Sequence, residues 1–207
     1  MRIAAPLGLN DEAIRLAVVE KLAWIKRQRS SFAGQSRQSP REMVNGESHY
    51  FLGRRYRLRV HEQEGPARVE IRGLRMLDLF VRPGSAAEKR RDVLQDWYRA
   101  QLKRAVPPLI AKWQRALGVR ASTWTIKKMK TKWGSCTVDA RRIWLNLELA
   151  KKPPRCIEYI VVHELVHLLE RHHGERFTAL MDRYLPDWAQ RRLELQQSVL
   201  GAEDWSY

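Results

Sequence analysis

Ile157-Glu158-Tyr159-Ile160-Val161-Val162-His163-Glu164-Leu165-Val166-His167-Leu168-Leu169-Glu170-Arg171-His172-His173 decides how this chain is read. It holds an H-E-x-x-H motif inside an apolar helical pattern. On an α-helix His163 and His167 lie one turn apart and about 40° apart around the axis, so two imidazoles reach one metal ion. Glu164 projects beside that ion, where it can take a proton from the attacking water. Zinc suits such a site: it accepts nitrogen ligands, is redox-inert and keeps a position open. Histidines on a helix are often only core or surface residues. Here, however, Ile157, Ile160, Val161, Val162, Leu165, Val166, Leu168 and Leu169 surround the polar trio. Polar groups in such a run need partners, and a metal supplies one.

A catalytic zinc site takes a third protein ligand, and His172, His173, Glu175 and Asp182 are the nearest candidates. The 163/167/173 spacing follows the metzincin pattern H-E-x-x-H-x-x-G-x-x-H, but Glu170 stands where that pattern has its turn glycine. With His163 at 0° on a helical wheel, His167 falls near 40°, His172 near 180° and His173 near 280°, at about 100° per residue. Neither later histidine joins the first two in a continuous helix. The helix is therefore expected to end between Leu169 and His172, with Arg171-His172 turning the chain and Gly174 easing its exit at positive φ.

Working outward, the 207 residues suit one large domain, or a domain with an extension. No apolar run approaches the roughly 20 residues a membrane span needs, and Met1 to Leu9 is too short and weakly apolar for a signal peptide. Cys136 and Cys156 do not make a disulfide framework and read as free buried thiols, with a single bridge as the alternative. A cytoplasmic protein is expected. The net charge is +16. Between Arg120 and Arg155, ten basic residues stand against Asp139 and Glu148, a net +8 just before the metal helix. Such a stretch favours polyanions, including nucleic acid, or acidic protein substrates; it also fits a plain solvated face.

Asn10 to Ser31 reads as a helix, capped at Asn10 or Asp11, with Ile14, Ala17, Val18, Leu22 and Ile25 at helical steps. Ser30 to Pro40 reads as a linker. From Ser48, alternation at Tyr56/Leu58/Val60, Ala67/Val69/Ile71 and Leu77/Leu79/Val81 predicts three short strands in an antiparallel meander. Ala86 to Ala105 is a helix by period, and Pro107-Pro108 opens a second one that ends near Gly118. Thr123 to Lys130 has β character. Arg142 to Asn146 is a strand, with Asp139-Ala140 at the turn of a hairpin. Lys151-Lys152-Pro153-Pro154 opens the metal helix, since proline is tolerated in the first turn. Gly174 to Tyr184 and Asp187 to Val199 close the chain as helices.

Taken together, several motifs resemble the YgjP-like metallopeptidases, bacterial and archaeal relatives of the SprT-like zincins. They are Thr131-Lys-Trp133-Gly134-Ser135-Cys136, Ile143-x-Leu145-Asn146-x-x-Leu149, Ile157-x-Tyr-x-Val-Val-His163-Glu164-Leu-x-His167-Leu and His173-x-x-x-Phe177, with Gly46-x-x-x-Tyr50-x-x-Gly53-x-x-Tyr56 upstream. The resemblance runs from about Gly46 onward and rests on several motifs in family order. It implies an α+β, zincin-like fold, with residues 1–45 as a helix and linker arm and 46–207 as the metallopeptidase domain. It also implies a zinc-dependent peptidase with one Zn2+ per chain, held by His163, His167 and His173, with Glu164 as general base. The family match selects His173 over His172. His172 stands where the family often has Asn, and Thr178 where it often has Trp, which alters the pocket lining but no ligand. The expected substrate is a peptide or protein, for which the upstream hairpin offers an edge strand. His172 and Tyr184 are candidates for stabilising the oxyanion. The competing reading is a basic nucleic-acid-associated module with a zinc site, bound through residues 120–155, or a DNA-associated protease that works near DNA. A structural zinc, however, normally takes four protein ligands and no adjacent base.

Overall fold

The computed structural model describes residues 8, 10–23, 25, 26 and 41–197. In the N-terminal unit, α1 (Asp11–Glu20) starts at Asn10, whose side chain accepts a hydrogen bond from the Ala13 amide at 2.8 Å. The cap satisfies one of the amides that a helix leaves without a partner in its first turn. The remainder of the helix expected to reach Ser31 lies partly outside the described residues.

The body opens with β1 (Ser48–Phe51), β2 (Arg54–Glu62), β3 (Arg68–Arg72) and β4 (Met76–Val81), in the order β1-β2-β4-β3. The expected alternation holds: Tyr56, Leu58, Val69, Leu77, Leu79 and Val81 are buried on one face. The antiparallel meander does not. β2 and β4 run parallel, Leu58 opposite Leu77 and Val60 opposite Leu79, and β3 pairs antiparallel with the far side of β4. The physical reason is burial. Every residue of β4 after Met76 is buried, so β4 takes an inner position with a neighbour on each side, while the more charged β3 goes to the edge.

β1 and β2 are joined by Leu52-Gly53, at φ 47° and 79°, the mirror-image turn that suits a two-residue hairpin. Gly53 answers a second demand: a Cβ there would stand 2.8 Å from Pro153 Cγ. The two turn amides donate to the carbonyls of Ala150 and Lys151 at 2.9 and 3.1 Å. The first sheet is thereby fastened to the segment that opens the metal helix.

α2 (Ala87–Leu117) is one helix of 31 residues, not two. Pro107 and Pro108 lie inside it, on the exposed side. Each removes an amide donor, and Lys103 and Arg104, whose carbonyls lose their partners, are exposed residues. The buried stripe Leu94, Tyr98, Leu102, Val106, Ile110, Trp113 and Leu117 keeps the axis continuous. Gly118, at φ 67°, ends it.

The second sheet has β5 (Thr123–Lys127), β6 (Gly134–Thr137) and β7 (Arg142–Asn146), in the order β5-β7-β6. β6 and β7 form the expected hairpin, and β5 joins parallel to β7. Asn146 is fully buried, and its side-chain amide donates to the carbonyls of Met129 and Lys132 at 2.9 and 2.7 Å. It thus holds the loop that delivers β6 to the site. A 3-10 turn (Leu147–Lys151) leads into α3 (Pro154–Val166), followed by α4 (Glu175–Tyr184) and α5 (Trp188–Gln197). Pro154 occupies the first turn of α3, as expected. Cys136 and Cys156 are free thiols, and burial pushes them up to about 11 and about 12 respectively, which leaves both protonated. Among the described residues, no helix is long and apolar enough to cross a membrane.

The back of α3 is clamped at Glu158. Its carboxylate accepts from Lys112 Nζ at 2.8 Å and Trp113 Nε1 at 2.9 Å on α2, and from Arg191 Nη1 at 2.7 Å on α5. Burial pushes this carboxyl up, but the three donors outweigh burial and hold it at about 2. A folded value below the unfolded 4.5 means that the clamp stabilises fully above pH 4.5 and is lost as pH falls towards 2. Glu158→Gln should cost about 2 kcal/mol at neutral pH, read by chemical denaturation. The gap from wild type should close between about pH 5 and about pH 2. A gap that stays constant with pH would show that Glu158 is not held as an ion.

Candidate metal centre

α3 carries His163 and Glu164 in its last turn, and the helix ends at Val166 with His167 as its cap. That is earlier than the expected span of Leu169 to His172. The amides of Leu168 and Leu169 bond to the carbonyls of Leu165 and Val166 at 3.0 and 2.9 Å, which tightens the exit to three-residue steps. Leu165 and Val166 are buried and Leu168 and Leu169 half-buried, so apolar packing bends the chain where no glycine does. Gly174 does not use positive φ: it sits at −93°, at the start of α4.

The bend returns His173 to the helix. Its Nε2 lies 3.0 Å from His163 Nε2, and one nitrogen from each of His163, His167 and His173 falls within 4.8 Å of the others. Phe177 of α4 packs against all three rings, at centroid distances of 4.9, 4.8 and 4.7 Å. His167 Nδ1 is 3.1 Å from the Glu170 carbonyl. A proton on Nδ1 donates to that carbonyl and leaves the Nε2 lone pair for a ligand. His172 is exposed, and its backbone amide donates to Glu170 Oε1. Asp182 accepts from Trp188 Nε1 at 2.7 Å. Neither of these joins the trio, nor does Glu175.

The electrostatics fit a cation. Burial pushes His163 down to about 3, and the neighbouring His167 and His173 add to the shift. Burial lowers His167 as well. Both are neutral imidazoles at pH 7 and present lone pairs. Glu164 is buried, and its Oε2 has no hydrogen-bond partner among the described residues. Burial pushes its carboxyl up to about 8 against the pull of Lys132. A carboxylate so placed is costly unless a proton or a positive charge accompanies it. Nitrogen donors at this spacing suit zinc, whose bonds to imidazole are about 2 Å long.

Glu164 is confined from the side of β6. A Cβ on Gly134 would stand 2.8 Å from both Cγ and Cδ of Glu164. Only a glycine lets the strand pass so close. A cleft of about 680 Å³ opens over this contact, lined by β6, by Tyr159, His163 and Glu164 of α3, by His167 at its cap, by His173, and by Leu195 of α5. Of the two oxyanion candidates, His172 and Tyr184, neither lines it; Tyr159 does, with its ring 5.8 Å from that of His163. Tyr159 escaped the sequence reading, although its place one turn before His163 puts it on the same helix face. Of the basic stretch 120–155, Lys132 lines the cleft, Lys151 pairs with Glu148 at 2.7 Å, Arg155 pairs with Glu194, and Lys152 is buried beside the Trp133 ring.

A family model described as YgjP-like, metallopeptidase domain, matches residues 1–198. The comparison with curated proteins returns no match. Among solved structures, the chain is similar to the metallopeptidase zymogen of Methanocaldococcus jannaschii jannalysin, at 22% identity over 46% of this chain and 91% of that one, with a TM-score of 0.42. It is also similar to the metallopeptidase zymogen of Pyrococcus abyssi abylysin, at 21% identity over 46% of this chain and 99% of that one, with a TM-score of 0.40.

Because the pressure on Gly134 comes from one side chain, a double-mutant cycle isolates it. Gly134→Ala should cost about 1–3 kcal/mol through overpacking, measured by denaturation. In a Glu164→Ala background the same change should cost less than about 0.5 kcal/mol. An equal cost in both backgrounds would place the clash elsewhere.

Proposed function

The chain belongs to the YgjP-like metallopeptidase family, and from that premise we propose that it is a zinc-dependent peptidase, with His163, His167 and His173 as the ligands and Glu164 as the general base. The observation that carries the reading is the convergence of three imidazoles beside a buried carboxylate whose Oε2 has no partner. When bound, zinc supplies Lewis acidity, which brings water ionisation near neutral pH and polarises a carbonyl.

The protein's own groups do the rest. Glu164 accepts the proton of the attacking water as its oxygen bonds to the carbonyl carbon, then delivers that proton to the amide nitrogen as the C–N bond breaks. Gly134 fixes the place from which that carboxylate acts. Phe177 and the Glu170 carbonyl orient the imidazoles. β6 borders the cleft and is an edge strand of its sheet. An extended peptide laid along it gains main-chain hydrogen bonds and brings its carbonyl towards the histidines.

Elemental analysis should find about one zinc per chain. His163→Ala, His167→Ala and His173→Ala should each lose affinity by more than tenfold, whereas His172→Ala keeps the metal. Glu164→Gln should retain zinc yet lose peptide hydrolysis by at least about a hundredfold, since an amide accepts no proton at neutral pH. Full zinc content without His173, or wild-type turnover without Glu164, would sink the assignment.

A further inference from the structure

The face of the first sheet that points away from the core is an arginine array. Arg55, Arg57 and Arg59 alternate with the buried side of β2, and Arg68 and Arg72 occupy the same outer face on β3. Against these five stand only Glu70 and Asp78, a net +3 on four short strands. Nothing among the described residues covers it: Arg59, Arg68 and Arg72 are 44%, 43% and 63% exposed.

The array is held in place from below. Asp78, 1% exposed, lies at the centre of the face on β4 and takes Arg59 in a two-pronged contact, Nε to Oδ1 at 2.7 Å and Nη2 to Oδ2 at 2.9 Å. Arg72 Nε reaches the same carboxylate at 3.2 Å and His61 Nε2 at 3.3 Å. One buried charge thus orients two guanidiniums and leaves each with outward N–H groups. Arg68 stacks over Phe80 with its guanidinium carbon 3.9 Å from the ring centroid. Arg55 and Arg57 are exposed and meet no carboxylate among the described residues. Strand geometry spaces same-face arginines by about 6.6 Å along β2 and by about 4.8 Å between strands. Arg68 Nε also donates to Glu70 Oε1 at 2.8 Å, so Glu70 and Asp78 offset part of the grid, and among the described residues Arg55 and Arg57 are the forked donors left without a carboxylate.

We propose that this outer face binds the phosphate backbone of a nucleic-acid duplex, without reading its sequence. Guanidinium forks suit phosphate oxygens. Among the described residues the rings on this face are constrained: Tyr50, opposite Arg55, is half-buried, and Phe80 is buried beneath Arg68 and His61, so the arginines dominate and the contact is chiefly with the backbone. An acidic membrane surface would call for apolar side chains to insert beside the charges. Here Met76, between Arg57 and Arg72, is half-buried, and Leu74, at 75% the most exposed large apolar residue among those described, lies on the turn between β3 and β4, which is too little apolar surface to insert. The proposal is independent of the peptidase reading, and its test needs neither metal nor turnover.

The experiment is fluorescence anisotropy of a labelled 25-base-pair duplex (roughly two helical turns) with the full-length protein, across a salt series. Arg55→Glu/Arg57→Glu should weaken binding at least tenfold. Arg55→Ala/Arg57→Ala, the milder variant, should weaken it less and flatten the plot of log affinity against log salt by about two phosphate contacts. Both variants should melt with wild type, since neither side chain holds an ion pair in the body. Lys127→Glu/Lys128→Glu, in the basic stretch nearer the cleft, should have the smaller effect. Duplex binding unchanged by both arginine pairs, or lost only with the lysine pair, would overturn the proposal. So would binding to phosphatidylserine vesicles through these arginines with none to the duplex.

Discussion

Glu164 is a carboxylate withdrawn from water with one oxygen unpaired, and its surroundings are arranged around that cost. An ion buried without compensation is worth several kcal/mol against folding. Among the described residues, no arginine or lysine donates a hydrogen bond to Glu164 Oε2. Instead the protein brings three imidazoles alongside, seals the far side with Phe177 and runs β6 across the near side at Gly134. Such an arrangement makes sense if the missing positive charge comes from outside the polypeptide. It also explains why the helix stops at Val166: only a chain that doubles back there can deliver His173.

Holding that geometry is the task of elements that never touch it. Glu158 ties the back of α3 to α2 and α5. The Leu52-Gly53 turn grips the start of α3 through Pro153 and the carbonyls before it. Asn146 fixes the loop ahead of β6. β6 and the helix that carries His163 are therefore each anchored by residues outside the histidine trio.

Much of this was legible in the residues, and the exceptions share a cause. Period-2 alternation located three of the four strands of the first sheet, β2, β3 and β4, because the core itself imposes that pattern; the four residues of β1 are too few to show it. It is silent on which strands are neighbours, so the parallel β2–β4 pair was invisible until burial ranked β4 as an inner strand. Pro107-Pro108 signals a break locally, yet the stripe from Leu94 to Leu117 overrides it, and that stripe spans more chain than a local signal can weigh. At the site, the helical wheel required a turn before His173, but the turn comes from the packing of Leu165 and Val166, not from a residue with turn chemistry. Gly134 had no signal of its own, since the contact that demands it lies 30 residues away on another element.

The alternation in β2 has one more consequence, for how this chain can change over time. Arg55, Arg57 and Arg59 face outward only because they stand one place out of step with Tyr56, Leu58 and Val60. Deleting or inserting a single residue inside β2 would exchange the two sets, carrying guanidiniums into the core and aromatic and aliphatic side chains into water. β2 is paired on both sides, with β1 and with β4, so neither neighbour can slip to absorb the shift. Length variation in this region should therefore be confined to the connection 63–67, while substitutions that keep the two-residue rhythm can retune either face without disturbing the other.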